Sequence, residues 1–186
     1  MITKATNLVR ILLEDLVSPG DIAVDATCGN GNDTLILSSL VGETGRVVSI
    51  DIQLEAMASA RLTLSESVEN VHFLHDCHSK LDTLLSGFPR PSVVVFNLGY
   101  LPGGDKSLVT KPHTTVKALR HALEAIKVGG HVVMVVYTGH PGGVEEGLAI
   151  DHFISSLDSK HYAVMKHQWL NLPGSPPYVL LFERRV

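Results

Sequence analysis

The sequence predicts an α/β fold: a doubly wound, seven-stranded, mostly parallel sheet that ends in a C-terminal antiparallel hairpin. Three observations carry this. Short apolar runs alternate with stretches of helical periodicity along the chain. Val93-Val94-Val95-Phe96 is apolar throughout, as strands are when helices cover both faces. The last two runs are joined only by Asn171-Leu172-Pro173-Gly174-Ser175-Pro176-Pro177. That stretch is too short for a crossover helix, so these two strands pair antiparallel.

The elements follow in order. Leu8, Ile11, Leu12 and Leu16 set a helix over Thr6–Val17, and Ser18-Pro19-Gly20-Asp21 ends it. Strands are expected at Ile22–Asp25, Val47–Asp51, Val71–His75, Ser92–Asn97, His131–Tyr137, Tyr162–Leu170 and Tyr178–Glu183. Helices are expected near Asp33–Leu40, Leu54–Ser65, Ser79–Leu85, Thr114–Ile126 and Gly143–Leu157. The length of 186 residues suits a single domain over residues 1–186. The apolar fraction of 45% is that of a soluble globular protein. No apolar run approaches the roughly 20 residues that span a bilayer, and Met1-Ile2-Thr3-Lys4 has no signal-peptide layout. Two cysteines, Cys28 and Cys77, make no disulfide framework and point to a reducing compartment. The cytoplasm is expected, with a chloroplast or mitochondrion as the alternative if a transit peptide was trimmed. The net charge of -4 argues against a non-specific polyanion binder.

Chemistry concentrates at the ends of the strands. Val24-Asp25-Ala26-Thr27-Cys28-Gly29-Asn30-Gly31-Asn32-Asp33 reads as strand, Gly-x-Gly turn and helix start. Backbone without Cβ turns tightly and lets a ligand approach. The second strand ends in Asp51, an acid suited to a ribose diol, and Gln53 follows it. A dinucleotide site would show a third glycine, where this chain has Thr34 beside Asp33. A pyrophosphate favours a helix N-terminus free of acids. S-adenosylmethionine carries a sulfonium cation and no phosphate, and an acid suits it. The alternative for Asp33 is a helix N-cap alone. Asp76-Cys77-His78 follows the third strand and offers polar side chains at the carboxyl edge of the sheet. Strand alternation sets Asp76 and His78 on one face and His75 and Cys77 on the other, and no cysteine pair completes a zinc site, so no metal is expected.

The fourth strand ends in Asn97-Leu98-Gly99-Tyr100, followed by Leu101-Pro102-Gly103-Gly104-Asp105-Lys106. This resembles the [Asp/Asn/Ser]-Pro-Pro-[Tyr/Phe] motif of amine-directed methyltransferases, with Leu-Gly in place of Pro-Pro. The Asn97 oxygen and the Leu98 carbonyl can accept N–H bonds from an acceptor amine, and Tyr100 can pack a base ring. Tyr137 and His140 follow the fifth strand on the same edge, in Tyr137-Thr138-Gly139-His140-Pro141-Gly142-Gly143. His140 contacts substrate or takes a proton near neutral pH, or is a loop histidine satisfied locally. Lys106, Lys111, Lys117 and Arg120 flank the Gly-rich loop and meet phosphates, or form a solvated helix face.

Six parallel strands and one reversed strand is the arrangement of Rossmann-like class I methyltransferases. Asp-Ala-Thr-Cys-Gly-Asn-Gly, Phe-Asn-Leu-Gly-Tyr-Leu-Pro-Gly-Gly-Asp-Lys and Val-Val-Tyr-x-Gly-His-Pro-Gly-Gly together resemble the rRNA methylase family, over nearly the whole chain. Members of that family are associated with methylation of 5-aminomethyl-2-thiouridine at position 34 of tRNA. The resemblance implies S-adenosyl-L-methionine held by Asp25, Gly29, Asn30, Gly31, Asn32, Asp33, Asp51, Gln53, Asp76, His78 and Asn97. It implies a catalytic edge of Asn97, Tyr100, Asp105 and His140, with substrate contacts from Tyr100, Lys106, Tyr137 and His140. The implied partner is tRNA held by its anticodon arm, and a homodimer stays open. Methylation of rRNA or of a small amine is the alternative. A primary alkylamine has a pKa of about 10 and must lose a proton before attack. Asp105, Tyr137 and His140 are the candidate bases, with water as the alternative.

Overall fold

The computed structural model describes residues 4–65, 69–105 and 108–186. The elements are α1 (Ala5–Leu16), β1 (Ile22–Asp25), α2 (Asn32–Val41), β2 (Arg46–Asp51), α3 (Leu54–Leu64) and β3 (Val71–His75). A 3₁₀ turn (His78–Lys80) runs into α4 (Leu81–Leu84). Then come β4 (Val93–Asn97), α5 (Pro112–Ala125), β5 (His131–Val136), α6 (Gly143–Ser155), β6 (Tyr162–His167) and β7 (Tyr178–Arg184).

The strands form one sheet in the order β3-β2-β1-β4-β5-β7-β6. β1 to β5 pair parallel, and β7 runs antiparallel to both of its neighbours. Strand order reverses at β1, which lies between β2 and β4. That switch point opens a crevice at the carboxyl ends of the strands.

Period-two alternation splits the core into two layers. Val24, Val48, Val94, Phe96 and Met134 face Leu119, Leu123 and Ile150 of α5 and α6. Ala23, Val47, Val93, Val95 and Val133 face Leu8, Val9, Leu13 and Leu37 of α1 and α2. The middle of β4 is fully buried, which is why it reads as an unbroken apolar run.

Two elements differ most from expectation. β6 stops at His167 rather than Leu170, and the connection carries Pro173, Pro176 and Pro177, which cannot donate to a ladder. β6 is the sheet edge, and its half-exposed Lys166 lies 3.8 Å over the Tyr178 ring, a charged edge that discourages pairing. The helix expected at Ser79–Leu85 is a 3₁₀ turn plus a single α turn, cut short before Gly87, Pro89 and Pro91. Among the described residues, no helix is long and apolar enough to cross a membrane.

Candidate functional site

The Gly-x-Gly turn is pinned to the end of β2. Cys28 N–H donates to the Ile50 carbonyl at 2.9 Å, and Gly29 N–H donates to Asp51 Oδ2 at 2.8 Å. The other oxygen, Oδ1, accepts from Gln53 N–H at 2.9 Å, where α3 begins. Asp51 therefore ties two loops together at the crevice, and each oxygen keeps a further lone pair for a ligand hydroxyl. Gly31 is the N-cap of α2 at φ 81°, and a Cβ there would lie 2.7 Å from the Ala60 Cα. One glycine thus gives the left-handed turn and the close packing of α2 on α3.

Under this turn lies a buried polar cluster. Asp25 is fully buried and accepts from the Thr34 hydroxyl at 2.6 Å and from Thr27 N–H at 3.2 Å. Thr34 has a single proton, so at 2.8 Å it accepts from Ser49. Burial, reinforced by Asp33, pushes the Asp25 carboxyl up to about 7. Burial raises the Asp33 carboxyl too, against the bond from Asn97. Asp33 stands inside the first turn of α2, after the Gly31 N-cap, so it is not the cap. Burial pushes the Cys28 thiol up to about 12, so this cysteine is a small core residue rather than a nucleophile.

Asn97 ends β4 beside this cluster. Its backbone N–H donates to Thr27 Oγ1 at 2.7 Å, and its Nδ2 donates to Asp33 Oδ2 at 3.3 Å. The carboxylate takes the amide nitrogen and thereby turns the amide oxygen away from itself. Tyr100 is 40% exposed and meets His140 edge-on, with ring centroids 6.1 Å apart. His140 Nδ1 lies 3.0 Å from the Pro141 carbonyl. Its Nε2 is buried with no partner among the described residues, and a Cβ on Gly99 would be 3.7 Å from it. Tyr137 is half-buried, and burial together with Asp33 raises its hydroxyl pKa. It holds its proton and is a donor, which removes it from the candidate bases. The two loops meet at Asn30, whose Nδ2 donates to the Pro102 carbonyl at 3.2 Å and whose Oδ1 accepts from Ser59 at 2.9 Å.

The remaining candidates are placed differently. Asn32 is exposed at the first residue of α2, and Gln53 engages through its backbone. The alternation expected for residues 76–78 does not hold, because β3 ends at His75 and a 3₁₀ turn begins at His78. Asp76 is turned outward, 2.8 Å from Lys80, which holds its carboxyl below the usual range. His78 is turned inward, edge-on to Phe96 at 6.0 Å, and burial lowers its pKa. Asp105 is exposed and its carbonyl accepts from Leu108 N–H at 3.1 Å. Lys106 lies outside the described residues. Lys111 is the exposed N-cap of α5. Lys117 and Arg120 line a groove of about 580 Å³ between α5 and α6, with Arg120 5.2 Å over the Phe153 ring. Among the described residues no group of three or more His, Cys, Asp or Glu side chains is arranged to hold a metal.

Sequence reasoning missed Thr27, Thr34, Thr110 and Glu146, which brace the site, and Ile52, which is 63% exposed beside Asp51. Hydroxyl partners leave no periodic signal in the sequence. The donor set fits S-adenosylmethionine: the Asp51 carboxylate keeps lone pairs that a ribose diol would use, Ile52 exposes an aliphatic face, and Asp25 and Asp33 are buried acids that would suit a sulfonium.

The chain is similar to known proteins over almost its full length. The family model described as "Putative rRNA methylase" matches residues 47–183. A second methyltransferase model, protein-L-isoaspartate(D-aspartate) O-methyltransferase, matches residues 1–78, the stretch that contains the Gly turn and Asp51. The chloroplastic tRNA (mnm(5)s(2)U34)-methyltransferase of Arabidopsis thaliana is 41% identical, over 97% of this chain and 70% of that protein. An rRNA-methylase crystal structure from Clostridium thermocellum superposes with a TM-score of 0.94 at 37% identity, covering 99% of both chains. A methyltransferase from Streptococcus mutans in complex with SAH superposes with a TM-score of 0.88 at 34% identity, covering 99% of both. With the sheet order, the pinned Gly turn and these likenesses together, the chain belongs to the Putative rRNA methylase family, S-adenosylmethionine-dependent methyltransferases of the Rossmann-like class I fold.

Proposed function

We propose that this enzyme methylates the amine of 5-aminomethyl-(2-thio)uridine at position 34 of tRNA, giving 5-methylaminomethyl-(2-thio)uridine. The observation that carries the reading is the Asn97 amide, whose nitrogen is held by Asp33 at 3.3 Å. The fixed amide leaves an oxygen to accept an N–H of the acceptor amine. When bound, the cofactor supplies an electrophilic methyl on its sulfonium. The acceptor must present a lone pair in line with it. Asn97 Oδ1 and the Leu98 carbonyl orient the neutral amine, and Tyr100 and His140 flank the base. The substrate follows from the 41% identity to the Arabidopsis tRNA enzyme. A net charge of -4 fits a short footprint, the anticodon arm. The compartment proposed is the cytoplasm, with the plastid as the second reading, which the chloroplastic relative favours.

The test is methyl transfer from labelled cofactor to an anticodon stem-loop with or without the aminomethyl group, read by nucleoside mass spectrometry. Transfer is expected only with that group present. Equal transfer to the unmodified stem-loop, or transfer to ribosomal RNA alone, overturns the assignment.

A further inference from the structure

The three backbone amides that follow one another at the end of β4 are each tied to a different element. Asn97 N–H reaches Thr27 after β1, and Leu98 N–H reaches the Val135 carbonyl of β5 at 3.1 Å. These are ties that neighbours of β4 supply. Gly99 lies past the strand end, at φ 117°, beside the isolated antiparallel bridge of Tyr100 with Val109. Its N–H donates to Thr110 Oγ1 at 2.9 Å, and its carbonyl accepts from Thr110 N–H at 2.9 Å. One residue grips both polar groups of Gly99.

Thr110 is itself held. Its hydroxyl proton goes to Glu146 Oε2 at 2.8 Å, which leaves its lone pairs open to Gly99 N–H. The other oxygen, Oε1, accepts from the Thr115 hydroxyl at 2.6 Å. Glu146 is fully buried in the first turn of α6, and Thr115 is fully buried in the opening turns of α5. A carboxylate is favoured at a helix N-terminus. Even so, a buried acid whose partners among the described residues are two hydroxyls costs desolvation that an apolar residue of similar size would not. One of its two bonds continues a line from Gly99 N–H through Thr110, and the other comes from Thr115.

We propose that Glu146 is a positioning residue for methyl transfer, which sets the Asn97–Tyr100 edge by fixing Thr110 against Gly99. This rests on the reading of Asn97–Tyr100 as the acceptor edge. Glu146 touches no substrate. It acts through Thr110 on the peptide between Asn97, which orients the amine, and Tyr100, which packs the base. The other reading of the same bonds is a plain tie between α5 and α6, and the two readings separate experimentally.

Glu146→Gln keeps size but offers one accepting oxygen where two hydroxyls now donate. If the amide nitrogen faces Thr110, that hydroxyl loses its acceptor and must turn, and its hold on Gly99 loosens. Thr110→Val removes the hydroxyl and leaves Thr115 untouched, whereas Thr110→Ser keeps the hydroxyl. The full chain is assayed with S-adenosylmethionine and tRNA carrying the aminomethyl uridine. Glu146→Gln and Thr110→Val should each lower kcat by at least about tenfold, as misplacement near reacting atoms does. Cofactor KM should stay within about twofold, and Thr110→Ser should stay within about twofold of the parent in kcat. Hydrogen exchange gives a readout without turnover: the Gly99 amide should exchange faster in Glu146→Gln and Thr110→Val, with Leu98 unchanged. Unaltered kcat in Thr110→Val, or loss of kcat with Gly99 exchange unaltered, overturns the proposal, and so does equal failure of Thr110→Ser. Asn97→Ala is run in parallel. Loss of activity there with both relay variants active sinks this inference alone, whereas full activity in Asn97→Ala sinks the acceptor-edge reading beneath it.

Discussion

Asp51→Ala takes away a carboxylate whose oxygens already hold Gly29 N–H at 2.8 Å and Gln53 N–H at 2.9 Å. Two losses follow, and they fall on different observables. The lone pairs left for the ribose diol would each make a charge-assisted bond. At a half-buried site the low end, about 1.5 kcal/mol apiece, is the fair figure. Two such bonds give about 3 kcal/mol, or about two decades in Kd. The Gly29 and Gln53 amides are half-buried as well, so water replaces part of what they lose. The stability cost is then about 1 kcal/mol, a fall of roughly 2–4 °C in Tm for a chain of this size. Asp51→Asn keeps one accepting oxygen for two backbone donors and two hydroxyls, and should fall between, at about tenfold in Kd. Titration calorimetry with S-adenosylhomocysteine reads the affinity, and scanning calorimetry reads Tm. Unchanged affinity in Asp51→Ala, whatever happens to Tm, refutes the assignment of Asp51 to the ribose.

Two further outcomes are expected. Asn97→Ala should lower kcat by about a hundredfold while cofactor affinity holds, because the amide acts on the acceptor and only near the transition state; equal losses in kcat and in cofactor Kd would instead make Asn97 a cofactor ligand. Asp25 has its carboxyl raised by burial and by Asp33 from 3.8 to about 7, so the folded protein keeps a proton that the unfolded chain releases near pH 4. Its contribution is therefore fully present below about pH 4 and is lost as pH climbs through about 7, at up to about 1.4 kcal/mol per pH unit. Asp25→Asn should flatten that slope, and parallel Tm profiles for parent and variant between those limits would show that Asp25 does not titrate there.

The strands and the residues at their carboxyl ends were legible because burial on both faces forces unbroken apolar runs, as in Val93–Phe96. Asp25, Asp51 and Asn97 could be named as candidate site residues because each ends such a run. Their partners could not be named. The Asn97–Asp33 bond joins residues 64 apart, and the Thr110–Glu146 bond residues 36 apart, and no local pattern marks either. Glu146 reads in sequence as one of two neighbouring acids on a helix, yet one is fully buried and the other exposed. Asp76 and His78 were expected on one face because period two was carried past His75, where the strand stops and a 3₁₀ turn begins at His78. For Lys117 and Arg120 the sequence held no signal of direction along α5, and in the structure they line the groove between α5 and α6.

Thr34 shows most clearly what a single sequence position can and cannot tell. In sequence it is the place where the third glycine of a dinucleotide loop is missing, and that absence alone already disfavours a pyrophosphate ligand. In three dimensions it is a fully buried hydroxyl that donates to Asp25 at 2.6 Å and accepts from Ser49 at 2.8 Å. A glycine there would leave Asp25 buried without its closest donor, at the cost of an unsatisfied carboxyl in a dry core. The packing role of that missing glycine has moved to Gly31, whose backbone lies against Ala60. With close packing assigned to Gly31, position 34 is free to support an acid. An acid beneath the Gly turn is what separates a site for a sulfonium from a site for a phosphate.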